Sequence, residues 1–314
     1  MNTVFVIPAE LDGLRLDAAL KRLCPRLGLR ACRRAVASGL ALRDGHIAKA
    51  GCRVRAGDVV SIDLDQRPKD ASDLPASLTP RFLERTGDYI LVDKPSGLHC
   101  AALAGQPGPD LEALLPRILP DGCGEARLLQ RLDCDTSGLV CAALNDDAVK
   151  TFRAVEREGA CVKHYLALLC GRLTDETVVR LGLDTAKRRK SRLTAPVDDR
   201  TRWTEFTPLA HLGDGADFPD TRDNPARDAK QGLTLAGCRI RRGARHQIRA
   251  HAAALGHPLQ GDALYGGGPP FNTGPAFFLH HSLLVFPGGR RLLLPPWNLP
   301  PKALQAALQW LKAF

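Results

Sequence analysis

The sequence predicts an α+β fold, with a mixed or antiparallel sheet and flanking helices preceded by a small α/β module. Strand-like apolar runs and helical segments follow one another without the regular alternation that a parallel α/β sheet requires. The chain has 314 residues, which is long for one compact domain. Hydrophobic residues make up 44% of it and aromatic residues only 5%, so a core built mostly from Leu, Ala and Val is expected.

The charge balance points to a polyanionic partner. The chain carries 44 Lys and Arg against 34 Asp and Glu, a net charge of +10. Such an excess favours RNA, DNA or an anionic membrane, although composition alone fits a merely basic enzyme equally well. The first residues lack a signal-peptide pattern, and no apolar run approaches the about 20 residues that a membrane span needs. We therefore expect a cytoplasmic protein with no membrane partner.

The cysteines do not indicate a disulfide framework or a metal site. All ten are scattered singly, without a Cys-x-x-Cys pair. In a reducing compartment such residues act as small buried hydrophobes, and zinc would need ligands at closer spacing. No metal is expected.

Residues 1–65 predict a small helix–helix–strand module. Apolar residues between Leu14 and Leu23 recur at helical spacing, and strand-like pieces surround a turn at Asp44-Gly45. A second short helix carries three arginines on one side, namely Arg30, Arg33 and Arg34. A charge run is usually a solvated helix face, but arginines that share a side can also meet a phosphate backbone together.

Residues 66–81 are rich in Asp, Pro, Ser and Lys and predict a linker, which leaves 82–314 as the main domain. We expect its strands at Tyr89–Val92, Leu139–Leu144, Val162–Cys170, Thr204–Leu209, Leu233–Ile240 and Phe277–Phe286. We expect its helices at Leu111–Leu119, Asp146–Arg157, His246–Leu255 and Leu304–Leu311. The stretch Gly213–Lys230 holds many Asp, Pro and Gly residues and predicts an exposed loop.

The densest polar cluster lies just before an apolar run, at Gln130-Arg131-Leu132-Asp133-Cys134-Asp135-Thr136-Ser137-Gly138. A polar loop ahead of a buried strand is a common place for catalytic groups, because the strand holds them rigidly. A turn is the alternative interpretation, and it suits Asp135, Thr136 and Ser137 better. Asp133 lies between two apolar residues, where a carboxylate needs a partner.

A second polar cluster spans Arg241–His251. Its residues Arg245 and Arg249 are four apart on one helix face, so they could clamp a phosphate, or one could pair with an aspartate from elsewhere. The basic run Lys187–Arg192 is either an exposed loop or, beside a cleft that holds RNA, a phosphate contact.

Four stretches, in order over about residues 88–286, resemble the RluA-type RNA pseudouridine synthases. They are Lys94-Pro95-Ser96-Gly97-Leu98, Arg131-Leu132-Asp133 with Thr136-Ser137-Gly138, Lys163-His164-Tyr165-Leu166-Ala167, and Arg245-His246-Gln247-Ile248-Arg249 followed by Gly256-His257-Pro258-Leu259 and Gly261-Asp262. The first block is similar to the small S-four RNA-binding module of a ribosomal protein, through Arg15-Leu16-Asp17, the arginine helix and Ala56-Gly57-Asp58.

The resemblance implies an enzyme that isomerises uridines of structured RNA to pseudouridine without a cofactor. The N-terminal module favours ribosomal RNA as the partner, and a monomer is the default state. Carried over by position, Asp133 is the nucleophile, Arg249 keeps it ionised and Tyr165 stacks on the target base. Arg131 would help to flip the uridine out, or would fill the gap that the flipped uridine leaves. The other RNA-contacting candidates are Gln130, Arg245, Lys94, Arg30, Arg33 and Arg34, with Ile248 and Leu264 as apolar wall.

These residue types suit the chemistry. A carboxylate beside a guanidinium stays charged in a dry pocket, and it could attack the sugar carbon or the ring, or remove a sugar proton. A planar side chain suits an extruded base, since stacking contributes ~1–3 kcal/mol per base. Gln130 stands where the family usually has His, and Gly243-Ala244-Arg245 replaces the usual Gly-Arg-Thr. Either departure could alter substrate choice.

Two other functions fit less well. A catalytically silent RNA-binding or ribosome-assembly factor could share the fold, but it need not retain Asp133, Tyr165 and Arg249 together. Gln130 favours this alternative only faintly. An unrelated Asp-dependent hydrolase would need a second carboxylate at a credible acid position, and Asp135 fits a turn better.

Overall fold

The structure is a computed structural model that describes residues 2–25, 29–37, 40–48, 51–63, 75–102, 109–121, 123, 125–186, 190–213, 232–268 and 276–314. The chain divides into two compact units, one made of residues 1–79 and 98–118 and the other of residues 80–97 and 119–314. None of the helices within the described ranges is long and apolar enough to cross a membrane.

The first unit is built around a small antiparallel sheet. Its elements are β1 (Asn2–Val6), α1 (Leu16–Leu23), α2 (Leu29–Ala37), β2 (Ala41–Arg43), β3 (His46–Ile47), β4 (Val59–Asp63) and α3 (Leu111–Ile118). The described strands are ordered β1-β4-β2-β3. Leu20 of α1 and Val36 of α2 share one buried core with Ile62 of β4. The two predicted N-terminal helices and the turn at Asp44-Gly45 are confirmed.

The second unit contains a large mixed sheet. Its strands are β5 (Arg81–Thr86), β6 (Tyr89–Lys94), β7 (Arg127–Leu128), β8 (Ser137–Ala143), β9 (Val162–Cys170), β10 (Thr177–Val179), β11 (Leu181–Asp184), β12 (Arg192–Pro196), β13 (Thr204–Leu212), β14 (Leu233–Ile240), β15 (Leu279–Phe286) and β16 (Gly289–Leu292). Its helices are α4 (Asp146–Arg157), α5 (Gln247–Ala254) and α6 (Pro301–Lys312).

Within the described residues, ten of these strands form one sheet of order β10-β13-β14-β9-β15-β8-β6-β5, with β16 added to β15 and β7 added to β8. The pair β15–β8 is parallel, whereas neighbours such as β9 and β14 run antiparallel. β11 and β12 form a separate hairpin. The predicted α+β class with a mixed sheet is therefore confirmed.

Two apolar clusters hold helices on the sheet. In one, Ala303, Ala307 and Leu311 of α6 pack with Leu166 and Leu168 of β9. In the other, Phe152 of α4 is buried among apolar side chains of β6 and β8, namely Leu91, Leu139 and Cys141. Successive strand residues point to opposite faces, so Tyr165 of β9 lies on the face away from α6.

The periodic elements of the main domain match their predictions. The helix at Asp146–Arg157 and the strands at Val162–Cys170 and Leu233–Ile240 have the predicted bounds. The strand β12 was not predicted, because all its residues are exposed and show no alternation of apolar and polar positions. Most of the predicted linker, residues 66–74, and of the predicted loop, residues 214–230, lie outside the described residues.

The contact between β14 and α6 leaves no space at Gly237. A Cβ atom there would lie 2.5 Å from the Trp310 ring, so the ring would have to shift. We expect Gly237→Ala to lower the free energy of unfolding by about 1–3 kcal/mol, as overpacked positions do, in urea-induced unfolding followed by circular dichroism. Gly243→Ala is the control, since its Cβ would lie 3.8 Å from Ile240. Equal losses in both variants would contradict this packing.

Candidate active site

The loop that carries Asp133 is anchored by the end of β6. The Lys94 ammonium donates hydrogen bonds to the carbonyls of Pro95 and Cys134, each at 2.8 Å. The Ser96 hydroxyl donates to the Asp135 carbonyl at 2.8 Å, and the Gly97 amide donates to the Cys134 carbonyl at 3.0 Å. These bonds fix the loop before β8 begins, so the Asp133 side chain is presented from a rigid support.

The prediction that Lys94 contacts RNA is wrong. Its side chain is completely buried, and its ammonium bonds to backbone carbonyls rather than facing solvent. A buried ammonium is stable only when such acceptors surround it. Because one of those acceptors, the Cys134 carbonyl, lies on a loop 40 residues further along the chain, the sequence around Lys94 gave no sign of it.

The centre of the site is a guanidinium held between two carboxylates. Arg249 Nη1 donates to Asp133 Oδ2 at 3.0 Å, while its Nε and Nη2 donate to Asp262 Oδ2 and Oδ1 at 2.6 and 2.9 Å. The Asp262 side chain is 1% exposed, that of Arg249 9% and that of Asp133 21%. The bidentate pair with Asp262 therefore orients Arg249, and Asp133 remains accessible.

Charge interactions and aromatic contacts surround this guanidinium. Burial would lower the pKa of Arg249, but hydrogen bonds and charge interactions with Asp262 and Asp133 raise it above its ordinary value. The guanidinium also lies over the Phe277 ring at 4.4 Å and the Tyr265 ring at 5.2 Å. A planar cation stacked on ring faces loses little freedom when it pairs with a carboxylate.

His246 lies close to Asp133, which the sequence analysis did not predict. Its Nε2 is 3.9 Å from Asp133 Oδ2, and its Nδ1 is 3.2 Å from the Tyr265 hydroxyl. Burial lowers the pKa of His246, and Arg249 and Arg245 lower it further although Asp133 opposes them. The sequence feature that could have identified His246 is its position, next to Arg245 and one residue before α5.

Tyr165 is held by the sheet. Its ring is buried and stacks on His281, with centroids 4.6 Å apart and planes inclined by 18°. Tyr165 pairs with His281 across β9 and β15, and His281 pairs with Gly138 across β15 and β8. The register therefore places Tyr165 two strands away from Gly138, which closes the loop of Asp133.

Three other predicted residues of this unit lie outside its helices: Gln130 and Arg131 are on the loop before β8, and Arg245 lies two residues before α5. The Gln130 side chain is half-buried, and its amide donates to the Leu139 carbonyl at 3.4 Å. Arg131 and Arg245 are both exposed. Of the basic run, residues 187–189 lie outside the described part, whereas the Lys190 ammonium lies 4.6 Å from the centre of the Tyr265 ring.

In the first unit, the structure describes the side chain of one predicted arginine of α2, Arg33. Arg33 is 59% exposed and pairs with the buried Asp17 at 2.9 Å. Burial would raise the pKa of Asp17, but hydrogen bonds from Arg15 and Arg33 hold it below its ordinary value. The side chains of Arg30 and Arg34 lie outside the described residues.

The arrangement supplies an accessible carboxylate, a fixed cation beside it, and a neighbouring imidazole. Such a set can attack an electrophilic carbon or move a proton within a partly dry site. Across the described ranges, no three His, Cys, Asp or Glu side chains are grouped to hold a metal ion.

Comparisons with known proteins agree on one family. The RNA pseudouridylate synthase family matches residues 88–254. A ribosomal large subunit pseudouridine synthase D from Nitrosomonas europaea is 27% identical over 86% of this chain and 74% of its own. An uncharacterized RNA pseudouridine synthase from Mycobacterium bovis is 28% identical over 98% of this chain and 97% of its own. The solved human RNA pseudouridylate synthase domain containing 1 shares the fold, with a TM-score of 0.52 over 77% of this chain and 98% of its own, at 20% identity.

The geometry predicts an unequal cost of removing the two carboxylates. We expect Asp262→Asn to lower the free energy of unfolding by about 3–5 kcal/mol, because it takes the bidentate partner from a buried guanidinium. Asp133→Asn should cost less, since Asp133 is 21% exposed and accepts one of the three bonds described above. Urea-induced unfolding of both variants measures the difference. A larger loss in Asp133→Asn would contradict the assignment of Asp262 as the structural partner.

Proposed function

The chain belongs to the RNA pseudouridylate synthase family and is an isomerase acting on RNA, and we propose that it converts specific uridines of ribosomal RNA to pseudouridine with Asp133 as nucleophile. The observation that carries this proposal is the bond of 3.0 Å from Arg249 to an Asp133 carboxylate that remains 21% exposed. A carboxylate needs both a charge partner and access to a substrate in order to act as a nucleophile.

The names of two relatives support ribosomal RNA, and the charge of the chain supports a polyanionic partner in general. Relatives from Nitrosomonas europaea and Xanthomonas campestris carry the name ribosomal large subunit pseudouridine synthase D. The net charge of +10 suits a polyanion. We also propose that residues 1–65 form the S-four-like RNA-binding module, joined by residues 66–81 to a catalytic domain at 82–314. We further propose that the protein is a monomer and that it acts in the cytoplasm.

The reaction requires one bond to break and another to form on the same sugar carbon. The bond from C1′ to uracil N1 is exchanged for a bond from C1′ to C5, so the detached base must rotate without leaving. Asp133 acts in detaching the base, by attack on the sugar carbon or on the ring or by removal of a sugar proton. Arg249 donates a hydrogen bond to the carboxylate and is its positively charged partner, and the scheme requires no cofactor.

Substrate binding is assigned to residues around this pair. His281 backs one face of the Tyr165 ring, and a ring fixed in this way suits stacking on an extruded uracil. The exposed side chains of Arg131 and Arg245 suit contacts with phosphates next to the target. Gln130 bonds to the strand β8, so its part would be to shape the loop rather than to contact RNA.

The first test is genetic. Pseudouridines are mapped in total RNA from a strain that lacks the gene and from strains complemented with variants. We expect at least one ribosomal site to vanish in the deletion strain and to return with the wild type but not with Asp133→Asn. Asp135→Asn, in the same loop, is the matched control and should restore the site.

Two results would contradict the proposal. Restoration by Asp133→Asn would show that the nucleophile is another residue. If no site vanishes in the deletion strain, the chain is a silent RNA-binding factor, the alternative that Gln130 favours.

The second test concerns Arg131. We expect the affinity for ribosomal RNA to fall steeply with salt, and Arg131→Ala to reduce the slope of log K against log salt by about 1, because one phosphate contact is lost. Lys150→Ala is the control, since Lys150 is an exposed cation of α4 that pairs with Asp147 at 2.8 Å. Slopes are measured by filter binding. An unchanged slope in Arg131→Ala would remove Arg131 from the RNA contacts.

A further inference from the structure

Rejoining the ring to the sugar leaves a proton to be moved. When C5 forms its bond to C1′, C5 still carries its original hydrogen, and the ring has lost its C5=C6 double bond. The product regains that double bond only if this hydrogen leaves as a proton and N1 gains one. This step follows the work of Asp133, so it rests on the proposed function and on the Asp133 carboxylate acting close to C1′ of the target.

His246 has the position that this step requires. Its Nε2 lies 3.9 Å from Asp133 Oδ2, and its side chain is 13% exposed. If Asp133 reacts at C1′, then C5 is one bond from that carbon after rejoining. The C5 hydrogen therefore lies within the same few ångströms as the carboxylate, where the imidazole can reach it.

We propose that His246 is the proton acceptor for C5 of the rearranged ring. Nε2 takes the C5 proton, and the C–H electron pair forms the C5=C6 double bond. The electrons of the C6=N1 double bond move to N1, which takes up a proton that the imidazolium can return. The net change is one proton moved from C5 to N1, so the step is redox-neutral and needs no other reactant.

The hydrogen bonds around the imidazole leave Nε2 as its basic nitrogen. The Tyr265 hydroxyl oxygen accepts from the Ser191 amide at 3.0 Å and lies 3.2 Å from His246 Nδ1. It also lies 3.4 Å from the Ser191 carbonyl, to which its own hydrogen can be donated. The phenol oxygen then accepts from Nδ1–H, and the neutral imidazole turns an unprotonated Nε2 toward Asp133.

The charged groups around His246 also favour the neutral form. Asp133 on the loop before β8 and Asp262 after α5 favour the imidazolium, whereas Arg249 and Arg245 oppose it. With burial, the balance keeps the pKa of His246 below its ordinary value. The imidazole is thus ready to accept a proton near neutral pH, and the two carboxylates stabilise it once it is charged.

The backbone supports a functional role. His246 has φ 58° and ψ 20°, the left-handed conformation, at the residue before α5. A residue other than glycine in this conformation carries strain that persists where the surroundings require it. Asn adopts the left-handed conformation readily and also caps helices well, so His246→Asn should fold while removing the base.

The experiment measures turnover on ribosomal RNA transcripts made with ordinary uridine or with 5-deuterated uridine. For His246→Asn we expect kcat to fall by about 10²–10⁴, the usual contribution of a general base, with KM and thermal unfolding close to wild type. We also expect a primary isotope effect on kcat in the variant that is larger than in the wild type, because C5–H cleavage has become slow. His246→Gln should behave in the same way.

His257→Asn is the matched control and should keep the wild-type rate. His257 lies in the loop after α5, and its Nδ1 is 2.9 Å from the Cys170 carbonyl. An unchanged kcat in His246→Asn would overturn the proposal. So would a fall in kcat without an increased isotope effect, because His246 would then act before the C5 proton leaves, as a positioning residue. A wild-type enzyme that makes no pseudouridine would refute the proposed function itself.

Discussion

The site depends on the bidentate bond between Arg249 and Asp262. A guanidinium that is 9% exposed needs a buried carboxylate to balance its charge, and Asp262 provides one. With two of its nitrogen atoms committed to Asp262, Arg249 has a single direction in which to present the third. That direction is toward Asp133, which therefore keeps its charge partner without being buried. A monodentate arginine could swing to solvent, and the carboxylate would lose that partner.

The same constraint requires the loop of Asp133 to be as rigid as helix α5. Lys94 and Ser96 provide this by donating hydrogen bonds to backbone carbonyls of the loop. Backbone anchoring leaves the side chains of the loop available for chemistry, and it tolerates changes of side chain within the loop. This tolerance gives a physical reason why Gln130 can replace the usual His without loss of the Asp133–Arg249 contact.

Two tyrosines of this unit, Tyr265 and Tyr165, have different partners. Tyr265 contacts Arg249, His246 and Ser191, so one phenol connects the charged centre, the imidazole and the segment that precedes β12. Tyr165 instead belongs to the sheet and is fixed by His281. A base stacked on Tyr165 would therefore meet a surface set by strand register, whereas the tautomer of His246 depends on its contact with the hydroxyl of Tyr265.

The sequence alone determined the α+β class, most helices and long strands, and the family, because periodicity and local motifs are written in consecutive residues. It also singled out Asp133 and Arg249, which the structure brings to 3.0 Å from each other. Only the tertiary structure decided that Lys94 is a buried anchor, and that Asp262 and His246 complete the centre. Those outcomes depend on which distant groups meet a side chain after folding. A cation or an imidazole has the same local sequence whether it faces water, a carbonyl or a carboxylate.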